Sequence, residues 1–142
     1  DMTGWRQLAG ITHEAWQSLP DAERQNAAIY GSTYGRTGAI NYYNRKVAEL
    51  PEAFCFDGSF MFWTPQSLAD KQALIFVGEP DTVMAKLFGE ITLFNSVNDP
   101  FSSENTTPVY ILRHPMANMD ERYVELRERI IKPNHRKPYE HK

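Results

Sequence analysis

The chain has 142 residues, of which 42% are hydrophobic and 13% aromatic, as in one globular domain with a single core. Fifteen Lys and Arg residues stand against eighteen Asp and Glu residues, so the net charge is -3 at pH 7. Because binding to a phosphate backbone needs a strong basic field, this balance excludes nucleic acid as an expected partner.

The alternation of apolar and polar residues predicts helices and strands that follow one another along the chain. The first half of the chain is predicted to contain a helix at 4–19, a strand at 26–30, a glycine-rich turn at 31–38, a helix at 39–48 and a strand at 53–56. One or two helical turns at 66–70 and a strand at 73–77 follow. The remainder is predicted to form a helix at 82–88, strands at 90–94 and 108–112, and a helix at 120–131.

This alternation favours crossover connections, which place helices on both faces of a sheet of parallel strands. We therefore expect an α/β fold, a three-layer α/β/α sandwich that is Rossmann-like and has a mostly parallel sheet of about five strands. Residues 1–142 should form a single soluble domain. The chain starts Asp1-Met2-Thr3 without an initiator Met or an apolar leader. A processed mature protein would also start in this way, and we expect the chain to be a fragment of a longer protein.

Three glycines, Gly31, Gly35 and Gly38, lie where a dinucleotide-binding fold carries its phosphate loop. Their spacing matches neither the dinucleotide pattern nor the triphosphate-binding pattern, so we expect no cofactor. Backbone N–H groups at the start of the following helix, together with Arg36, could still form a modest anion site. The alternative is that the glycines only close a tight turn.

The segment after the second predicted strand contains a carboxylate, a hydroxyl and aromatic rings: Asp57, Ser59 and Trp63. These groups would suit a sugar or lipid contact surface, but they could equally pack against a neighbouring domain, and we favour an interface over a catalytic pocket. Asp57 could also form a carboxylate pair with Glu79 or Asp81, since all three follow strands.

No metal site is expected, because the four histidines are scattered and show no ligand spacing. The single cysteine, Cys55, lies between two phenylalanines and should be buried and unreactive. No run of about 18 apolar residues is present, so we expect no membrane-spanning segment here.

Several short motifs, in this order, resemble the C-terminal soluble region of one family of bacterial membrane enzymes. These are glycosyltransferases related to dolichyl-phosphate-mannose protein mannosyltransferases and aminoarabinose transferases. The motifs are Gly4-Trp5, Ser18-Leu19-Pro20, Ala28-Ile29-Tyr30, Thr33-Tyr34-Gly35-Arg36-Thr37-Gly38-Ala39-Ile40, Leu50-Pro51, Ser59-Phe60-Met61-Phe62-Trp63-Thr64-Pro65, Phe76-Val77-Gly78, Leu87-Phe88-Gly89 and Pro108-Val109-Tyr110-Ile111-Leu112-Arg113.

The resemblance implies a parent enzyme that takes a sugar from a polyprenyl-phosphate carrier at the extracytoplasmic, periplasmic face of the inner membrane. Its catalytic carboxylates would lie in the membrane part, so this domain would be non-catalytic and would assist acceptor recognition or cover the active site. Expected partners are the transmembrane part of the same polypeptide and a polyprenyl-phosphate sugar or glycan acceptor. The candidate ligand-binding residues are Tyr34, Gly35, Arg36, Gly38, Asp57, Ser59 and Trp63.

Two other functions are open at this point. The chain could be a stand-alone soluble enzyme that processes sugars or nucleotide sugars with Arg36, Asp57 and Glu79. It could also be a purely structural domain whose aromatic edge docks a partner protein.

Overall fold

The computed structural model of the chain describes the backbone of residues 2–80 and 83–140 and the side chains of residues 3–80 and 83–131. Its helices and strands, in chain order, are α1 (Met2–Gln17), α2 (Asp21–Gln25), β1 (Ala27–Gly31), α3 (Tyr34–Tyr43), β2 (Ala53–Phe54), β3 (Ala73–Val77), β4 (Phe88–Ser96), β5 (Pro108–Pro115) and α4 (Met119–Glu140). Two 3-10 helices lie at Gly58–Trp63 and Val83–Leu87. None of the described helices is both long enough and apolar enough to cross a bilayer.

The five strands form one mixed sheet in the order β2-β1-β3-β5-β4. β1 runs parallel to β2 and β3, whereas β5 is antiparallel to both β3 and β4. The α/β class and the five strands are thus confirmed, and the prediction of a mostly parallel sheet was wrong. A parallel neighbour needs a long crossover, usually a helix, but residues 97–107 contain no helix, so β5 returns antiparallel beside β4.

Side chains of the central strands alternate between two hydrophobic clusters, one on each face of the sheet. Ile29 and Ile75 point to the cluster that contains residues of α1 and α3. Tyr30 and Phe76 point to the other, which contains residues of α4 and of the second 3-10 helix. β3 is buried at every position, as its continuous apolar run predicts.

Most predicted elements are confirmed, and the differences are local. α3 begins at Tyr34, five residues earlier than expected, because the Thr33 side chain accepts a hydrogen bond from the N–H of Arg36 and caps the helix. The helix predicted at 82–88 is the short 3-10 helix Val83–Leu87, and Thr82 lies outside the described residues. The prediction missed α2, and residues 66–70 form bends and turns instead of a helix.

Candidate functional site

The carboxyl ends of β1, β2 and β3 lie at one edge of the sheet because these strands are parallel. Ser32 and Thr33 follow β1, Asp57 follows β2, and Gly78 and Glu79 follow β3. The strands β2 and β3 lie on opposite sides of β1, and in open α/β sheets ligands bind in the crevice where the strand order reverses. A ligand of this fold would therefore be expected in the crevice between the loops after β1 and β3.

Arg36 fills this crevice with a network of hydrogen bonds. Its Nε donates to Glu104 Oε1 at 2.9 Å and its Nη1 to Ser32 Oγ at 2.8 Å. Its Nη2 donates to Thr107 Oγ1 at 3.3 Å, and that hydroxyl donates to the same Glu104 oxygen at 3.1 Å. Because Glu104 is only 7% exposed, a buried carboxylate of the protein itself neutralises the guanidinium.

Gly78 shows how closely the two loops meet. A Cβ atom at this position would lie 2.0 Å from Ser32 Oγ and 3.0 Å from Arg36 Nη1, and the residue has φ +128. Only glycine brings the backbone this near at such a dihedral angle. An incoming anion would have to displace Glu104 from Arg36 and separate these loops.

The first turn of α3 also has acceptors from the protein. Asp57 Oδ2 accepts from the N–H of Tyr34 at 3.2 Å, and Thr33 Oγ1 accepts from the N–H of Arg36 at 3.2 Å. A carboxylate at a helix N-terminus is favourable, since the helix dipole is positive there. Asp57, predicted as a ligand-binding residue, therefore ties the loop after β2 to the start of α3.

Aromatic side chains form the exposed part of the same edge. Tyr34 packs edge-to-face against Phe60 with ring centroids 5.0 Å apart, and it stays 53% exposed. Phe62 is 55% exposed and Trp63 is 78% exposed. We refer to Tyr34, Phe60, Phe62 and Trp63 as the aromatic ridge.

A groove of about 290 Å³ lies beside the aromatic ridge. Its lining residues are Glu52, Ala53, Phe54, Phe60, Trp63 and Pro65. The volume is at the lower end of what small-molecule sites occupy, enough for a group the size of one sugar ring. The lining is mainly apolar, and the exposed Glu52 supplies its one carboxylate. Such a surface combines stacking faces with a hydrogen-bond acceptor.

Asp57 and Glu79, the two described carboxylates of the predicted pair, follow strands on opposite sides of β1. Asp57 accepts a hydrogen bond from the backbone of α3. Glu79 Oε1 instead lies 3.9 Å from Arg36 Nη2. Asp81, the third carboxylate considered, lies outside the described residues. Among the residues that the structure describes, no three His, Cys, Asp or Glu side chains are grouped so that they could hold a metal ion.

The predicted ligand-binding residues separate into different surroundings. Tyr34, Asp57, Ser59 and Trp63 lie on or next to the aromatic ridge, whereas Arg36 turns away toward Glu104. The two glycines belong to α3: a Cβ atom at Gly35 would lie 3.3 Å from the ring of Trp5, and one at Gly38 would meet nothing within 4 Å.

Sequence reasoning missed Glu52 and Phe54 in the groove and Glu104 in the crevice. The adjacency of Glu52 to the predicted second strand could have indicated its place at the sheet edge. Nothing distinguished Glu104 from the other polar residues of its loop.

No known protein family, curated protein or solved structure matches the chain.

Proposed function

We propose that the chain is a non-catalytic accessory domain of a membrane glycosyltransferase that uses polyprenyl-phosphate sugars. In this proposal it lies at the extracytoplasmic, periplasmic face of the inner membrane, beside the transmembrane part of the same polypeptide. Its aromatic ridge takes part in recognising the acceptor or the sugar, or covers the membrane active site. We also propose that the domain has a Rossmann-like three-layer architecture, with the sheet between two layers of helices.

The observation that carries the proposal is the exposure of Phe62 and Trp63 next to the groove. Contiguous patches of large, exposed apolar side chains usually indicate a binding surface. The flat faces of aromatic rings stack on the apolar faces of sugar rings, and Glu52 can accept hydrogen bonds from sugar hydroxyl groups. A glycan or carrier-linked sugar therefore fits the chemistry of this edge.

The closed crevice supports a non-catalytic role. The alternative stand-alone enzyme needs Arg36, Asp57 and Glu79 available to a substrate, but Arg36 is bound to buried Glu104 and Asp57 to the start of α3. A catalytic pair would also need to face a common cleft. These contacts favour recognition over turnover.

The test is to titrate the chain with a short-chain polyprenyl-phosphate sugar and, separately, with a free oligosaccharide. Tryptophan fluorescence should change in a saturable way with at least one of these probes, and the change should be absent in Trp63→Ala, which keeps Trp5 and Trp16. Calorimetry should show that Trp63→Ala weakens binding about tenfold or more, as for an aromatic residue that anchors a ligand. Phe101→Ala is the matched control, because Phe101 is 97% exposed on a different loop, and it should leave binding unchanged.

Two other results would replace the proposal. A purified chain that splits activated sugars, and loses this activity in Asp57→Ala, would be a stand-alone enzyme. The absence of any saturable response to both probes would favour a structural docking domain.

A further inference from the structure

A second surface with distinctive chemistry lies where α1 meets the end of α3. Arg6 belongs to α1, Tyr42 and Tyr43 are the last residues of α3, and Arg45 follows. The side-chain Nδ2 of Asn44 donates to the carbonyl of Ala9 in α1 at 2.9 Å, which fixes the two helices together. We refer to Arg6, Tyr42, Tyr43 and Arg45 as the basic patch.

Both guanidinium groups stack on tyrosine rings, and Arg45 Nη1 also donates to the carbonyl of Tyr42 at 2.7 Å. The Arg45 guanidinium lies 4.3 Å from the Tyr42 ring centroid, and that of Arg6 lies 5.4 Å from the Tyr43 centroid. The two rings meet edge-to-face with centroids 5.1 Å apart. These distances are typical of cation–π contacts. The four side chains thus form one continuous array.

The charges of the basic patch have no carboxylate partner within the part of the chain that the structure describes. Arg36, Arg113 and Arg129, by contrast, each pair with a glutamate. Arg6 and Arg45 are also exposed, so their positive charge faces solvent in a chain whose net charge is -3.

Between the two arginines lies a shallow groove of about 380 Å³. Gly10 of α1 forms part of its lining, and a Cβ atom there would meet nothing within 4 Å. The groove is therefore open at Gly10, and both arginines belong to its lining.

We propose that the basic patch binds the phosphate groups of an anionic phospholipid surface. The guanidinium fork matches the geometry of phosphate oxygens and stays charged at every physiological pH. Tyrosine rings that are apolar at the body and polar at the tip are enriched at the headgroup level of membranes. Tyr42, at 57% exposure, presents such a ring beside Arg45. This inference is independent of sugar recognition by the aromatic ridge.

The experiment is flotation of the chain with vesicles of phosphatidylcholine alone and of phosphatidylcholine mixed with phosphatidylglycerol. Binding should require the anionic lipid and decline as salt screens the charges. The double variant Arg6→Gln/Arg45→Gln should lower the partition coefficient by roughly 30-fold, about fivefold for each charge. Circular dichroism should show that it melts like the unchanged chain, since both side chains are exposed.

Lys86→Gln/Arg129→Gln is the matched control, because it removes two exposed positive charges from elements that pack on the opposite face of the sheet. It should change the partition coefficient by less than about threefold. Equal losses in the two double variants, or equal binding to neutral vesicles, would overturn the proposal.

Two competition arms separate the membrane surface from other sources of phosphate. Inorganic pyrophosphate at millimolar concentration should not release the chain from vesicles. Release would overturn the assignment to a membrane surface, because it would indicate a free phosphorylated ligand. Single-stranded DNA should bind more weakly than anionic vesicles at equal salt. Stronger binding to DNA would overturn the assignment to lipid.

Discussion

The side-chain amide of Asn41 forms two hydrogen bonds with the backbone of Ala53, in the place where a neighbouring strand would otherwise pair. The N–H of Ala53 donates to Asn41 Oδ1 at 2.7 Å, and Asn41 Nδ2 donates to the carbonyl of Ala53 at 3.0 Å. Ala53 belongs to β2, which is an edge strand of the sheet. Unpaired backbone N–H and C=O groups on an edge strand can pair with another chain. Asn41 therefore blocks such pairing at Ala53 and satisfies the hydrogen-bonding groups of its buried backbone.

Asn41→Ala should destabilise the chain by about 2 kcal/mol, because Ala53 is 3% exposed and would keep two unsatisfied polar groups. Urea unfolding would measure the change. Asn98→Ala is the control, since Asn98 is exposed, and it should stay within about 0.5 kcal/mol of the unchanged chain. Equal stability of the two variants would show that the pair contributes nothing.

Arg36→Met should lower the free energy of unfolding by about 3 kcal/mol or more, because it leaves buried Glu104 without its cation. Adding Glu104→Leu should restore part of the loss, and the double-mutant cycle measures the coupling. Arg129→Met breaks the exposed pair with Glu125 and should cost less than about 0.5 kcal/mol. A small effect of Arg36→Met would contradict the prediction that Glu104 depends on Arg36 as its buried partner.

Two glycines of the candidate region should respond to alanine with opposite signs. Gly78→Ala should destabilise by about 3 kcal/mol, because its φ of +128 and the 2.0 Å approach to Ser32 both exclude a Cβ. Gly38→Ala should stabilise the chain by about 0.5–1 kcal/mol, because Gly38 is an interior residue of α3 and a Cβ atom there would point into open space. Thermal melts of both variants test this. A destabilising Gly38→Ala would point to a contact absent from the structure.

Burial raises the pKa of Tyr30 and of Tyr123 above that of an ordinary phenol. For Tyr30 the nearby Cys55 and Asp57 add to this effect. The unfolded chain would lose these protons near pH 10 while the folded chain keeps them. Their contribution to stability is therefore fully present below about pH 10 and is lost as the pH rises further.

Each of these tyrosines should lower the free energy of unfolding by up to about 1.4 kcal/mol per pH unit above pH 10. Guanidinium unfolding at several alkaline pH values would measure the slope. Tyr30→Phe should reduce this slope, and Tyr123→Phe should reduce it as well. An unchanged slope in Tyr30→Phe would contradict the burial of its hydroxyl.

Local sequence patterns predicted most elements because each depends on nearby residues. The run 73–77 became the fully buried β3, and the helical stripe from residue 4 became α1. The direction of β5 was missed because strand periodicity is the same in parallel and antiparallel pairs. The absence of a helical pattern in residues 97–107 was the available signal.

The candidate site was less predictable because its key contacts join distant parts of the chain. Arg36 and Glu104 are 68 residues apart, and no pattern near either residue indicates the other. Exposure of Trp63 is also a tertiary property, since an aromatic run can equally form core. Sequence reasoning therefore placed the candidate residues at one edge of the sheet, but it could not separate the closed crevice from the exposed aromatic ridge.

The most direct measurement is NMR mapping of the isotope-labelled chain during titration with a polyprenyl-phosphate sugar or an oligosaccharide. Chemical shifts should change at the Trp63 indole and along residues 58–65, and should stay constant at Arg36, Gly78 and Glu104. Changes concentrated at Arg36, Gly78 and Glu104 would contradict this prediction, because the ligand would then occupy the crevice.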